Sequence, residues 1–313
     1  MPSISPQQKE KIRAKALALG FDACGFASAG PVSQKAQDQY NDWIKDGRNS
    51  CMDYASKYSD LRANPAVLFP EGRSIISVAL NYYPLRFQSE DKPQFAYYAY
   101  GRDYHEVVRE KLTMLAEYIK CEYLADCRVC VDTAPIRERY WACEAGLGMI
   151  GRNNTLIIPG RGSYFFLGEL ICSLDINPDQ PCKSSCGDCN LCVENCPTGA
   201  LDVNGALDAR KCLSCQLIEQ RGELSSEVAR TAGNRIYGCD ECQKCCPHNA
   251  GAESTHIKDF FPSEEFLNLS LNDIINMDHS TFLHVFRHSA VRRAKLTGLQ
   301  RNATLLKNSH NKP

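Results

Sequence analysis

The chain is 313 residues long, with 36 Lys and Arg against 37 Asp and Glu and a net charge of −1. That balance gives no general attraction for nucleic acid, so any surface for a polyanion must be local. There is no run of about 18 apolar residues to span a bilayer, and the opening MPSISPQQKEKIRAK lacks the apolar core of a signal peptide. Eighteen cysteines without an export signal point to a reducing cytoplasm. The length predicts two domains.

Ser5-Pro6-Gln7-Gln8 predicts a helix start. Ser5 is the cap, Pro6 lies in the first turn, Gln8 closes a capping box, and Gly20 is the left-handed stop. FDACGFAS (21–28) reads as a short strand, and 34–46 and 52–60 read as helices. RSIISVALNYY (73–83) is a near-continuous apolar run, the pattern of a strand covered on both faces. In FAYYAYGRDYHEVV (95–108) the tyrosines either line a flat ligand or pack as core and rim, and spacing favours packing.

A helix over 104–120 leads to the strand CRVCVDTA (127–134). Asp132, before Pro135, lies at the strand end where α/β sheets collect ligands and catalytic groups. With Thr133 it also precedes a helical stretch over 136–148, so helix capping is the competing reading. GLGMIG (146–151) follows a helix, not a strand, so its G-x-G-x-x-G spacing fails the context of a dinucleotide site. Its glycines instead allow close backbone approach, with Asn153, Asn154 and Thr155 positioned to bond what approaches. Strands at NTLIIP and 163–174 close an α/β domain near 175.

Residues 176–250 carry CGDCNLCVENCP, a lone Cys212 and CDECQKCCP. The first block is C-x2-C-x2-C-x3-C-P and the second C-x2-C-x3-C-P, the spacing of a bacterial-type ferredoxin with two [4Fe–4S] clusters. It predicts one cluster on Cys186, Cys189, Cys192 and the remote Cys246, and another on Cys196, Cys212, Cys239 and Cys242. Paired zinc knuckles would use two C-x2-C units, but they leave the third cysteine of the first block too close to serve a second ion. Cys182 and Cys245 fall off the spacing and are read as non-ligands. Most of the ten cysteines outside the ligand set are read as small apolar packing residues. The tail, 251–313, is helical and locally basic, with Arg287, Arg292, Arg293, Lys295, Arg301 and Lys307. A solvated helix face is the ordinary meaning of such a run, and phosphate contact the sharper one.

The stretches VDTAPIRERYWACEAGLGMIGRNNTLI, GSYFFLGEL, CGDCNLCVENCPTGALD, ARKCLSCQLIEQRG, YGCDECQKCCPHN and SAVRRAKLTGLQRNA occur in that order. Together they resemble the epoxyqueuosine reductase family from about residue 10 to 308. The resemblance implies an α/β (α+β) cobalamin-binding domain of nitroreductase-like architecture over 1–175. It also implies a ferredoxin-like double [4Fe–4S] domain over 176–250, and a tail over 251–313 that packs on the catalytic domain and faces tRNA. The implied reaction removes the epoxide oxygen of epoxyqueuosine at the tRNA wobble position, the last step of queuosine synthesis. The clusters would feed electrons to cobalamin, and Asp132 would be the proton donor. No D-x-H-x-x-G stretch is present, in keeping with cobalamin bound base-off.

By the same resemblance Arg62, Tyr97, Tyr98, Asn154, Thr155, Ser163 and Glu169 fall in cofactor-lining segments. Arg292, Arg293, Lys295 and Arg301 fall in a tRNA-facing one that Asn302 closes. An external low-potential electron donor, no membrane, a monomer and a cytoplasmic setting complete the expectation. Met149, Arg152, Cys215 and His248 depart from the family's usual residues. The alternative is a reductive dehalogenase-like small-molecule reductase, against which the basic tail weighs. A plain electron carrier would not need an α/β domain of this size for docking.

Overall fold

The computed structural model describes residues 4–310. Eight strands are described: β1 (Ala23–Ser28), β2 (Ser74–Asn81), β3 (Gln94–Phe95), β4 (Cys127–Cys130), β5 (Met149–Ile150), β6 (Leu156–Ile157), β7 (Phe165–Cys172) and β8 (Arg235–Tyr237). Strand and helix alternate as the sequence predicts, but the central sheet runs β1-β2-β7-β4 with every pair antiparallel. The first half is therefore α+β, not a parallel wound sheet. The continuous apolar pattern of β2 and β7 follows from cover on both faces, since all eight residues of each strand are buried.

One face carries the helices Pro6–Ala18 and Tyr104–Tyr123, which seal Ile76, Val78, Leu80 and Leu170 with Ile12, Leu112 and Leu115. The other face carries the short helix Glu138–Glu144, whose Trp141 and Ala142 lie over Ile75, Ala79 and Ile171. Gly25 in β1 permits that helix to come close, because a Cβ there would lie 2.0 Å from the carbonyl oxygen of Ala145. The capping box at Ser5 and Gln8 forms as read.

Several boundaries differ from the sequence pattern for local reasons. The helix expected over 52–60 breaks into Asp53–Ser56 and Ser59–Ala63 around Tyr58, which is left-handed at φ 58°. β4 ends at Cys130, where pairing with β7 stops, and Asp132 then turns left-handed at φ 43°. The helix expected over 136–148 shortens to Glu138–Glu144, with Arg137 as its cap residue and Gly146 left-handed at φ 76° beyond it.

The remaining chain crosses back and forth. β3 pairs in parallel with β8, so the tyrosine segment is stitched directly to the cysteine-rich segment. The tail does more than pack on the first half. Its Phe266, Phe282, Phe286, Leu299, Ala303 and Leu306 share one core with Phe95 and Tyr100, and with Ile218, Ile236 and Tyr237 from the cysteine-rich segment.

Candidate active site

Asp132 follows the edge strand β4 and presents a half-exposed carboxylate, with 51% of its side chain accessible. Helix capping fails as an explanation: the helix Glu138–Glu144 has Arg137 as its cap residue and no side-chain cap bond. Instead Asp132 Oδ2 meets His105 Nε2 at 2.8 Å, and the Asp132 N–H donates to Glu138 Oε1 at 2.5 Å. A non-glycine residue in the left-handed region is uncommon and clusters at functional sites.

His105 is fixed from its other side. Its Nδ1 lies 2.7 Å from Asp103 Oδ1, and Asp103 also accepts the His105 N–H at 3.0 Å as the N-cap of the helix Tyr104–Tyr123. The ring stacks on Tyr104 at 4.1 Å, and Tyr104 stacks on Phe166 at 4.3 Å. Burial opposes the charge on His105, but its bonds to Asp103 and Asp132 outweigh that and raise it to about 9. Burial first, then the Asp132 charge, pushes Glu138 up to about 8. Burial likewise draws Arg139 down, although its side chain retains solvent access and donates to the Asn154 carbonyl. Tyr54, exposed yet raised to about 12 chiefly by burial, lies within electrostatic reach of Asp132, Glu219 and Arg293.

The expected cofactor-lining residues divide. Tyr97, Tyr98, Asn154 and Thr155 are partly exposed, and Arg62 donates to the carbonyls of Tyr54 and Lys57 at 3.3 Å. Tyr98 also bonds Tyr237 at 3.2 Å, and Tyr97 takes Asp240 on its N–H at 2.8 Å, so both brace the tyrosine segment against the cysteine-rich one. Ser163 and Glu169 are buried. Ser163 is taken up by Asn249 and Gln243, and Glu169 accepts from Ser77 at 3.2 Å under the helix Glu138–Glu144. Burial, then the nearby Glu138, raises Glu169 well above the carboxylate range, and its Oε2 has no partner.

The eight spaced cysteines gather as two tetrads. Cys186, Cys189, Cys192 and Cys246 line one void together with Arg152, Asn153 and His248. Cys196, Cys212, Cys239 and Cys242 lie within one another's electrostatic reach. Among the described residues, no three His, Cys, Asp or Glu side chains lie close enough to share a single metal ion. Cys245 borders the first tetrad beside Cys192.

The hairpin of β5 and β6 holds both ligand loops. Arg152 donates to the carbonyls of Gly187 and Cys189 at 2.7 Å and of Val203 at 2.8 Å, and Asn153 donates to Cys242 at 3.2 Å. Gly148 serves that hairpin, since a Cβ would lie 2.2 Å from the Ile157 carbonyl oxygen.

The basic residues of the tail are not equivalent. Arg301 donates to the carbonyls of Gln220 and Gly222 at 2.7 and 2.6 Å, and Arg293 pairs with Glu219 at 2.6 Å beside the Tyr54 ring. Arg292 and Lys295 are exposed. Asn302 is buried and donates to the Leu217 and Ile236 carbonyls.

The sequence reading missed Asp103, His105, Glu138, Arg139 and the bracing role of Arg152. Asp103 had a legible signal as a cap-type residue before a helix. Nothing in the pattern announces a contact between His105 and a residue 27 positions away.

A half-exposed carboxylate at a strand end, in a chain that also gathers its spaced cysteines, points to an iron–sulfur redox enzyme. Residues 185–249 match the 4Fe-4S double cluster binding domain, and residues 62–133 match the family model described as epoxyqueuosine reductase QueG, DUF1730. The epoxyqueuosine reductase of Cellulophaga algicola is 36% identical over 303 residues, covering 96% of this chain and 98% of that protein. A crystal structure of epoxyqueuosine reductase with a tRNA-Tyr epoxyqueuosine-modified stem loop superposes at TM-score 0.90 with 31% identity, covering 96% of this chain and 80% of that one. The Bacillus subtilis enzyme, solved with its catalytic aspartate loop swung out of the active site, gives 0.86 with 31% identity over 96% and 81%. The chain belongs to the epoxyqueuosine reductase family.

Proposed function

We propose that Asp132 is the proton donor in the reduction of epoxyqueuosine to queuosine, the reaction this oxidoreductase performs on tRNA. The observation that supports this most strongly is the placement of Asp132. It is a half-exposed carboxylate, left-handed, capping nothing and held by His105. Its loop is fastened near Asp132 by the bonds to His105 and Glu138.

Cobalamin, bound base-off, would be held near Asp132 on an α+β domain of nitroreductase-like architecture over 1–175. Cobalamin would supply low-potential reducing chemistry, and two [4Fe–4S] clusters in the 176–250 segment would supply single electrons from an external donor. Arg62, Tyr97, Tyr98, Asn154 and Thr155 would line the cofactor, while Ser163 and Glu169 support that lining from beneath. Cys186, Cys189, Cys192 and Cys246 would hold one cluster, and Cys196, Cys212, Cys239 and Cys242 the other. Arg292 and Lys295 would meet tRNA phosphates, with Arg293 and Arg301 shaping the surface from within. Among the described residues no helix is long and apolar enough to cross a membrane, and a cytoplasmic setting suits the tRNA substrate.

Nucleoside mass analysis tests the assignment. Anaerobically reconstituted protein with cobalamin and a low-potential reductant is expected to remove one oxygen from epoxyqueuosine in tRNA. Omission of cobalamin abolishes the loss, and Asp132→Ala strongly reduces it. No loss of oxygen from protein verified to contain iron and cobalamin would refute the reading.

A further inference from the structure

Removing an epoxide oxygen as water consumes two electrons and two protons: both C–O bonds break, a carbon–carbon double bond forms, and the oxygen leaves as H2O. A single carboxyl carries one transferable proton at a time. Asp132 must therefore be recharged between the two proton deliveries, or the second proton must come by another route. We propose that His105, clamped by Asp103, is the positioning residue that recharges Asp132 by passing its Nε2 proton to Asp132 Oδ2. The proposal rests on Asp132 being the proton donor.

The geometry is that of a three-member relay. Asp103 Oδ1 stands 2.7 Å from Nδ1, and Asp132 Oδ2 stands 2.8 Å from Nε2. Because the Asp103 carboxylate faces Nδ1, that nitrogen keeps its proton, and the mobile proton is the one directed at Asp132. The ring cannot easily turn away: it is stacked on Tyr104, and Asp103 is fixed as the cap of the same helix.

The surroundings keep the imidazole charged. Asp103 faces it from its own helix, Asp132 from the loop after β4, and Glu138 from the following helix is near enough to feel its charge. The remaining charges of the neighbourhood are paired among themselves: Glu106 with His288 and with Arg102, and Arg102 also with Glu110 and Asp259. The histidine side chain is 28% accessible, so solvent can reprotonate it after each turnover.

In the balanced step the His105 imidazolium proton passes through Asp132 to the epoxide oxygen as one C–O bond opens. Solvent reprotonates His105, and a second proton takes the same route as the second C–O bond breaks and the oxygen leaves as water. The two electrons come from the reduced cofactor system of the established activity.

The test is single-turnover deoxygenation by pre-reduced holoenzyme on epoxyqueuosine-containing tRNA from pH 6 to 10, with iron content and tRNA affinity checked for each variant. Wild type is expected to lose activity on the alkaline side near pH 9, where His105 gives up its proton. His105→Gln should lower the rate roughly 10- to 100-fold, remove that alkaline limb and be partly rescued by imidazole. Asp103→Asn, which loosens the clamp on His105, should lower the rate at every pH and move the limb down by about one pH unit. If His105→Gln keeps the wild-type rate and profile while Asp132→Ala is inactive, the relay is wrong and the Asp132 reading stands. A slow His105→Gln enzyme with an unmoved limb and no rescue would also overturn the relay, leaving a structural role. Full activity in Asp132→Ala would overturn the parent reading, and the relay with it.

Discussion

Asn302 illustrates how a motif residue that resembles a substrate contact can instead hold a redox centre together. It is fully buried, donates to the carbonyls of Leu217 at 2.8 Å and Ile236 at 2.9 Å, and accepts from Arg301 at 2.9 and 3.1 Å. Leu217 lies in the helix Leu213–Ile218, which directly follows Cys212, and Ile236 lies in β8, just before Cys239. One amide therefore ties together the two backbone segments that deliver two ligands of the second tetrad. Asn302→Ala orphans two carbonyls in the core, at about 1–1.5 kcal/mol each, so the loss is about 2–3 kcal/mol. It should be felt first as separation of the two segments. Thermal unfolding and iron content after anaerobic reconstitution report it: the variant should melt earlier and retain about four of about eight irons. Stability within about 0.5 kcal/mol of wild type with both clusters intact would show that the bridge is not needed.

Three other outcomes are expected. Arg152→Ala removes two bonds to the loop carrying Cys186 and Cys189 and a third to Val203, so it should lose the first cluster before the second, seen as partial iron loss with the second cluster's spectrum intact. Replacing Arg292 and Lys295 together by Ala should weaken tRNA binding and flatten the log–log salt dependence by about one contact each, whereas Arg301→Ala should lower stability with little change in salt slope. The third outcome concerns pH. His105 rises from the ordinary 6.5 to about 9, against the opposing effect of burial, through its bonds to Asp103 and Asp132. Its stabilisation is full below about pH 6.5 and disappears as pH climbs through 9. Because Asp132 is half exposed, about 1–2 kcal/mol is expected, and denaturant titrations of wild type against His105→Gln at pH 6 and 9.5 would show it.

The double-cluster segment was legible because cluster loops are local: the cysteine spacing that marks them is written within a few residues, whatever the rest of the fold does. The buried strands were legible too, since β2 and β7 are covered on both faces and carry no alternation to mislead. Their pairing was not. A run buried on both faces reads alike in parallel and antiparallel sheets, and only the positions of β1 and β4 decide between them.

Side-chain partners were harder still. Arg292, Arg293, Lys295 and Arg301 look like one basic patch in the sequence, yet Arg301 is consumed by two carbonyls and Arg293 by Glu219, because charge type is written in the chain and its partner is not. The same limit hid His105. The fold brings it to Asp132 only because the helix Tyr104–Tyr123 packs on β4 and β7, placing a cap-region histidine at the end of the edge strand. Tyr54 sits at that convergence. Arg293 of the tail lies 5.6 Å over its ring, and the Asp132 carboxylate is near enough to help raise its hydroxyl. The tail and the carboxylate, some 160 residues apart in sequence, come within reach of one side chain because the tail shares a core with β3 and β8 while its Phe260 packs into the core of the central sheet.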